Sequence, residues 1–433
     1  MRTTFAALRV RNYRLFAVGS LVSNTGTRMQ RVAQDWLVLA LTGSAGALGI
    51  TTGLQFLPIL LFSPIAGVVA DRYSKRIVLA ITQVSMGISA AVLGVLAVTG
   101  WVATWHIYAL AFLFGTATAF DAPTRQAFVN EMVDRSQLAN AVGLNSASFN
   151  LGRMIGPAVA GMLIAWMGSG VSATGWVILL NSASYVAVLV SLTRMREEEL
   201  TPVDRLPRAK GQLRDGIRYV RSRPDIMLVM AILFCAGTFG LNFQMTTVLM
   251  ATEVYGKGAG EYGVLGSVLA IGSLTGSLFA ARRVVSRQRL VVVAAVAFGT
   301  VEMVAGLMPS YLTFALMLPL CGVAALTVVT AANTFVQMSA DPQMRGRVMA
   351  LYMAIFMGGT PIGAPLLGWV ADHFGARWTL VGGGALTVAG TLLAVAVLAR
   401  RQGVAISPHL RPHPHLEVLH RDDTEPAATA AAA

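Results

Sequence analysis

Charge is scarce in this 433-residue chain, where Asp, Glu, Lys and Arg together make up only 12% of the residues. Soluble domains carry about 25%, so a solvated globule of this size is excluded. A disordered chain, which needs high charge and low hydrophobicity, is excluded too. Cysteine is nearly missing: Cys235 and Cys321 both lie inside long apolar runs, which excludes a disulfide framework and makes them reduced packing residues. Glycine has no three-residue period, so the chain is not collagen-like. Catalytic signatures are absent as well, with no Gly-x-Ser-x-Gly elbow, no His-Glu-x-x-His and no phosphate-binding loop with its Lys. The chain is therefore expected not to be an enzyme, to need no cofactor and not to use ATP itself. His409, His413, His415 and His420 in the tail are not expected to hold a metal.

What is present is apolar sequence, 55% of the chain, with mean hydropathy +0.65. A membrane helix needs about 20 mostly apolar residues to cross roughly 30 Å. Twelve such runs lie near 13–41, 46–70, 77–99, 103–121, 138–167, 173–194, 224–251, 260–281, 289–308, 311–335, 347–371 and 376–399. The expected fold is all-α and integral to the lipid bilayer. No small-residue cleavage site follows the four Arg of residues 1–14, so the first run is expected to be retained.

Basic residues set the orientation. Of the 33 Lys and Arg, 28 fall on the side shared with the N-terminus, whereas only Lys257 and Arg377 fall on the other. Arg28, Arg31 and Arg153 lie within spans. Both termini and the loop at 195–223 are thus expected to be cytoplasmic, and the asymmetry explains the net charge of +13 without any nucleic acid. The loop divides the chain into bundles at 1–194 and 224–399, with a disordered tail expected at 400–433. Within the loop, Leu213, Ile217 and Val220 form one helical stripe and Arg214, Arg218 and Arg221 another. Such a helix would lie on an anionic leaflet or serve as a solvated linker. The bundles repeat: Gly152, Gly156, Gly161 and Gly168 recur as Gly359, Gly363, Gly368 and Gly375, offset by 207 residues. Duplicated six-helix halves are a transporter pattern.

Ionisable groups inside a membrane need a partner or a wet cavity. In the first span Asn24, Arg28, Arg31 and Asp35 step by four, three and four, so they share a helix face with Thr27. This face is expected to line a substrate or proton pathway, with Arg31 and Asp35 spaced to pair; the alternative is a structural ion pair. Glu302, Asn242, Gln244, Asn333 and Gln337 are further polar residues inside runs, suited either to the pathway or to helix–helix hydrogen bonds. After the second span, Gly67, Asp71, Arg72, Lys75 and Arg76 form a cluster suited to latching the two halves at the cytoplasmic face, or simply to anchoring the span.

That cluster resembles the loop 2–3 signature of the major facilitator superfamily, with Ser74 in place of the usual Gly. In the matching loop after the eighth span, Gly276 is followed by Arg282 and Arg283 but the acid is absent. In the fifth span Gly143, Gly152, Gly156-Pro157 and Ala160-Gly161 resemble the superfamily's antiporter signature, departing only at Ala160. Asn12 to Phe16, Asp35-Trp36-Leu37 and Asp121 to Phe128 resemble the branch that contains the enterobactin exporter. Many drug–proton antiporters of this superfamily carry an Arg in the fourth span, and residues 103–120 have none, which moves the expected proton site to Asp35 with Arg31 or Arg28.

The resemblance implies two pseudo-symmetric six-helix bundles that export an organic small molecule (drug, antibiotic or siderophore) by alternating access. Exchange for protons and function as a monomer are expected. The competing readings are a proton-coupled nutrient importer and a non-transporting membrane sensor.

Overall fold

The computed structural model describes residues 5–201, 212–281, 287–401, 404–409 and 415–420. Six long helices form the first bundle: α1 (Arg11–Thr42), α2 (Ala45–Arg72), α3 (Lys75–Thr99), α4 (Thr104–Met132), α5 (Arg135–Trp166) and α6 (Val171–Thr193). A linker helix α7 (Gln212–Ser222) follows. The seventh crossing is interrupted. It runs as α8 (Pro224–Cys235), a π-helical turn Ala236–Gly240, α9 (Phe243–Leu249) and a second π turn Met250–Val254. Helices α10 (Ala259–Ala281), α11 (Gln288–Gly306), α12 (Tyr311–Ser339), α13 (Arg345–Phe374) and α14 (Arg377–Arg401) complete the second bundle.

Twelve crossings bring the start of α1, the linker and the end of α14 to one end of the molecule, called here the terminal end. Among the described residues nine helices are long and apolar enough to span a membrane by composition alone. The other three crossings, α1, α4 and α5, hold Arg28, Arg31, Asp35, Asp121, Arg125 and Arg153. Those side chains turn inward while the outer surface stays apolar, with Ile81, Trp166, Leu316 and Leu393 exposed as lipid-facing residues.

Helix α4 continues eleven residues beyond the expected end at 121. It therefore carries Arg125, whose Nε donates to Asp121 at 3.0 Å, one helical turn away. Asp121 also accepts from Gln83 at 2.7 Å and Thr82 at 3.0 Å, so the polar stretch is satisfied internally and the helix continues. The linker helix docks on α13: Gly216 faces Arg347 and Leu351, Val220 is buried, and Arg347 reaches Asp215 at 3.5 Å. The Leu213 side chain lies outside the described residues. In the tail, Val404–His409 pairs antiparallel with His415–His420, Ile406 opposite Val418; the rest of the segment at 402–433 lies outside the described residues.

The glycine repeat is a packing repeat. Gly152 and Gly156 let α5 touch α1, where added Cβ atoms would lie 3.1 Å from Thr25 N and 2.6 Å from Arg28 Cβ. Their counterparts Gly359 and Gly363 let α13 touch the π turn of the seventh crossing at Gly237 and Thr238. Gly161 then meets Gly263 of α10, and Gly368 meets Gly46 of α2, each pair joining one half to the other. Gly168 and Gly375 follow these helices with φ of +94° and +93°, a left-handed turn that favours glycine. Each position in the repeat thus does in one half what its partner does in the other.

Candidate functional site

The halves meet along two seams, α2 with α13 and α5 with α10. On the first, Gly49 and Gly53 face the 361–365 stretch of α13, and Gly358 faces Leu60. On the second, Pro157, Gly161 and Ala165 face Gly260, Gly263 and Gly266. Residues 45–53 begin α2 and 161–165 end α5, so both seams are tightest away from the terminal end. Nearer that end, Gly143 on α5 has nothing within 4 Å of an added Cβ. The antiporter-type signature therefore divides: Gly152 and Gly156 pack within the half, Pro157 and Gly161 pack across it, and Gly143 packs on nothing.

Two hydrogen-bond clusters reinforce the seams. Asp372, at the end of α13, accepts from Ala45 N at 2.8 Å, Gly46 N at 2.9 Å and Ser44 Oγ at 3.1 Å, capping the first turn of α2 with a carboxylate. Sequence reasoning missed this residue, because its partners lie more than 300 positions away. The second cluster centres on Asp35, which is fully buried on α1. Its Oδ2 accepts from Gln244 Nε2 and from Tyr262 Oη, both at 2.8 Å. The expected Arg31–Asp35 ion pair does not form; the carboxylate instead faces neutral donors from the opposite half.

Replacing Asp372 with Ala removes a charged cap worth about 1–2 kcal/mol. The ratio of sealed to unsealed molecules at this end is then expected to fall about tenfold. Spin labels at 101 and 307, in a cysteine-free background, would report a larger population at long distance; an unchanged distribution would remove Asp372 from the seal.

Between the halves lies a cavity of about 300 Å³. Arg28, Arg31, Asn242 and Gln244 line it, together with Arg153, Thr52, Phe56 and Tyr262. Asp35 lies one side chain behind the wall, reached through Gln244 and Tyr262. Arg28 stacks on Phe149 (4.6 Å to the ring centroid) and Arg31 on Phe56 (5.4 Å), contacts that offset part of the cost of burying a guanidinium. The Arg31 Nε is buried without a hydrogen-bond partner. Asn242 sits where the seventh crossing unwinds and donates from Nδ2 to Thr238 O at 2.8 Å, satisfying a carbonyl beside the interruption. The sequence analysis took 224–251 as one continuous run, and the two glycines Gly237 and Gly240 just before Asn242 are the signal that could have marked the interruption.

Besides Asp35, three further expected pathway residues lie off the cavity wall. Asn24 packs at Gly152. Asn333 accepts from Gln337 at 2.6 Å on an exposed part of α12. Glu302 is fully buried inside the second bundle between Gly240 and Gly383, with neither carboxylate oxygen hydrogen-bonded. The basic cluster after α2 makes contacts on its own side of the molecule. Lys75 pairs with Glu131 at 2.6 Å, and Arg76 pairs with Glu197 and donates to Leu192 O at 2.8 Å, all within or just after the first bundle. Gly67 is half-buried, and Asp71 and Arg72 are exposed at the terminal end.

Known proteins with this arrangement are membrane carriers. A multidrug efflux pump, Tap, of Mycolicibacterium fortuitum is 28% identical over 381 residues, 85% of this chain and 91% of its own. A staphyloferrin A transporter of Staphylococcus aureus is 25% identical over 83% of this chain and 89% of its own length. A macrolide efflux protein A of Streptococcus pyogenes is 22% identical over 87% and 93%. Among solved structures, a bacterial homologue of the human lysosomal transporter Spinster shares the fold, with a TM-score of 0.69 at 16% identity over 90% of this chain and 96% of that one. The family model for transmembrane secretion effectors matches residues 2–426. The chain is thus a membrane transporter rather than an enzyme, and it belongs to the transmembrane secretion effector family of the major facilitator superfamily.

Proposed function

We propose that this transporter exports an organic small molecule of the drug, antibiotic or siderophore class across the cytoplasmic membrane, by alternating access and in exchange for protons. The observation that carries the reading is the central cavity between two repeated bundles whose glycine contacts crowd away from the terminal end. With 28 of 33 basic residues on the terminal side, that end is cytoplasmic and the conformation is inward-facing. Substrate then enters from the cytoplasm, and rocking of the bundles about the glycine seams exposes it to the outside. Asp35 is the proton carrier in this scheme. As a carboxylate it accepts from Gln244 and Tyr262 and holds the outer seam shut. When the outer seam opens, the same oxygens face the outside and take up a proton, which is released inward after reclosure. The efflux roles named for Tap and macrolide efflux protein A, and the siderophore named for the staphyloferrin A transporter, support the direction and the substrate class.

Everted vesicles holding an acid-inside pH gradient test this. Amphipathic drugs, catechol siderophores and sugars are added in turn while a pH-sensitive dye is followed. One of the first two classes is expected to collapse the gradient in vesicles with the native protein and not in vesicles with Asp35→Asn. Collapse by sugars alone, or substrate leaving the lumen as protons leave, would overturn export.

A further inference from the structure

The charge of the cavity wall is lopsided. Arg28, Arg31 and Arg153 all line it, and none of its lining side chains is a carboxylate. Among the described residues no ion pair neutralises any of the three. Arg125, by contrast, is paired with Asp121, and Lys75 with Glu131. Asp35 is the acid beside the cavity, and it is occupied by Gln244 and Tyr262. Counting its charge in full still leaves a surplus of two positive charges facing the space. Phe149 and Phe56 cover the flat faces of two guanidiniums, which leaves their in-plane N–H donors for a partner that the described residues do not supply. Apolar surface from Phe56, Phe243 and Phe356 completes the wall.

Resting on the export reading, we propose that the cavity takes an amphipathic organic anion, a carboxylate- or sulfonate-bearing solute held by Arg28, Arg31 and Arg153, with its apolar body against Phe56, Phe243 and Phe356. Buried guanidiniums prefer planar, two-oxygen anions, which they hold bidentately. A cation entering the same space would meet three like charges in a low-dielectric wall. A membrane potential negative inside favours outward movement of an anion, so the charge of the site suits export rather than uptake.

Three dansyl amides with a common fluorophore, bearing a dicarboxylate, a neutral diol or a quaternary ammonium, provide the test. Binding is measured by fluorescence on the full chain in phosphatidylcholine nanodiscs, and uptake in everted vesicles. The dicarboxylate is expected to bind at least about tenfold more tightly than the diol, with the ammonium weakest. Arg31→Gln and Arg153→Gln should each weaken it about tenfold, whereas Arg153→Lys, which keeps the charge but loses the two-donor fork, should fall between the native chain and Arg153→Gln. Equal binding of all three probes, or Gln variants that bind the dicarboxylate as the native chain does, overturns the proposal. One-third phosphatidylglycerol in the nanodiscs separates a soluble anion from an anionic lipid: unchanged dicarboxylate affinity supports the solute, and competition by the lipid overturns it. Uptake of the ammonium or diol without the dicarboxylate overturns the anion assignment and leaves export standing. If none of the three probes, nor the drugs and siderophores, enters the vesicles, export and the anion assignment fall together.

Discussion

Vesicles carrying Asp35→Asn are expected to lose proton-driven export completely while the protein folds and inserts as the native chain does. The reason lies in the geometry. A single oxygen of Asp35 accepts from both Gln244 and Tyr262, and an asparagine oxygen can take its place. The inter-half seam therefore survives, and what disappears is a group able to bind and release a proton. Asp35→Ala is a different perturbation, because it leaves a buried amide and a buried hydroxyl without their acceptor. Hydrogen bonds to a charged group contribute about 1.5–3 kcal/mol each, so the outer seam should open by two to four powers of ten in its equilibrium. The Asn variant should show native label distances between 101 and 307 with no dye response; the Ala variant should show long distances. Native export rates in Asp35→Asn would take this carboxylate out of the mechanism.

The second large effect is expected at Gly161. A Cβ there would stand 2.9 Å from Gly263 Cα, closer than real contacts allow, so any larger side chain must drive α5 away from α10. Overpacking of this kind costs about 1–3 kcal/mol even where neighbours can adjust, and here the neighbours are backbone atoms. Gly161→Leu is expected to reduce export at least about tenfold and shift the 101–307 distances outward. Gly368→Leu should do the same on the other seam, where the added Cβ meets Gly46 Cα at 3.0 Å. Gly143→Leu, in the same signature but with open space around it in this conformation, should leave the 101–307 distances as in the native chain. A functional Gly161→Leu would mean that the seam is not the closed gate.

Much of this architecture was legible in one dimension because membrane insertion is read in one dimension. Twelve apolar runs, the basic asymmetry of their connections and a glycine pattern repeated after 207 residues each follow from lipid exposure or from close helix contact. Those forces act on local stretches and so leave local marks. Where local marks misled, the cause was a distant partner. Asp121 ends an apolar run, yet α4 continues because Gln83 and Thr82 satisfy it from α3. Arg31 and Asp35 have the spacing of an ion pair, yet Asp35 turns to Gln244 and Tyr262 instead.

The residues of the site divide in the same way. Composition and periodicity alone determined the membrane class, the two six-helix halves and a polar face on α1 containing Arg28, Arg31 and Asp35. Tertiary structure decided that Arg153 joins the two arginines of α1, that Glu302 and Asn333 stand away from the cavity, and that Lys75 and Arg76 pair beside their own bundle. It also decided that Asp372 seals α2 from the other half. The physical reason is that helix periodicity reports which face of a helix is polar but not what stands opposite it. In a bundle of twelve helices, the partner of a buried charge is chosen by packing between segments hundreds of residues apart.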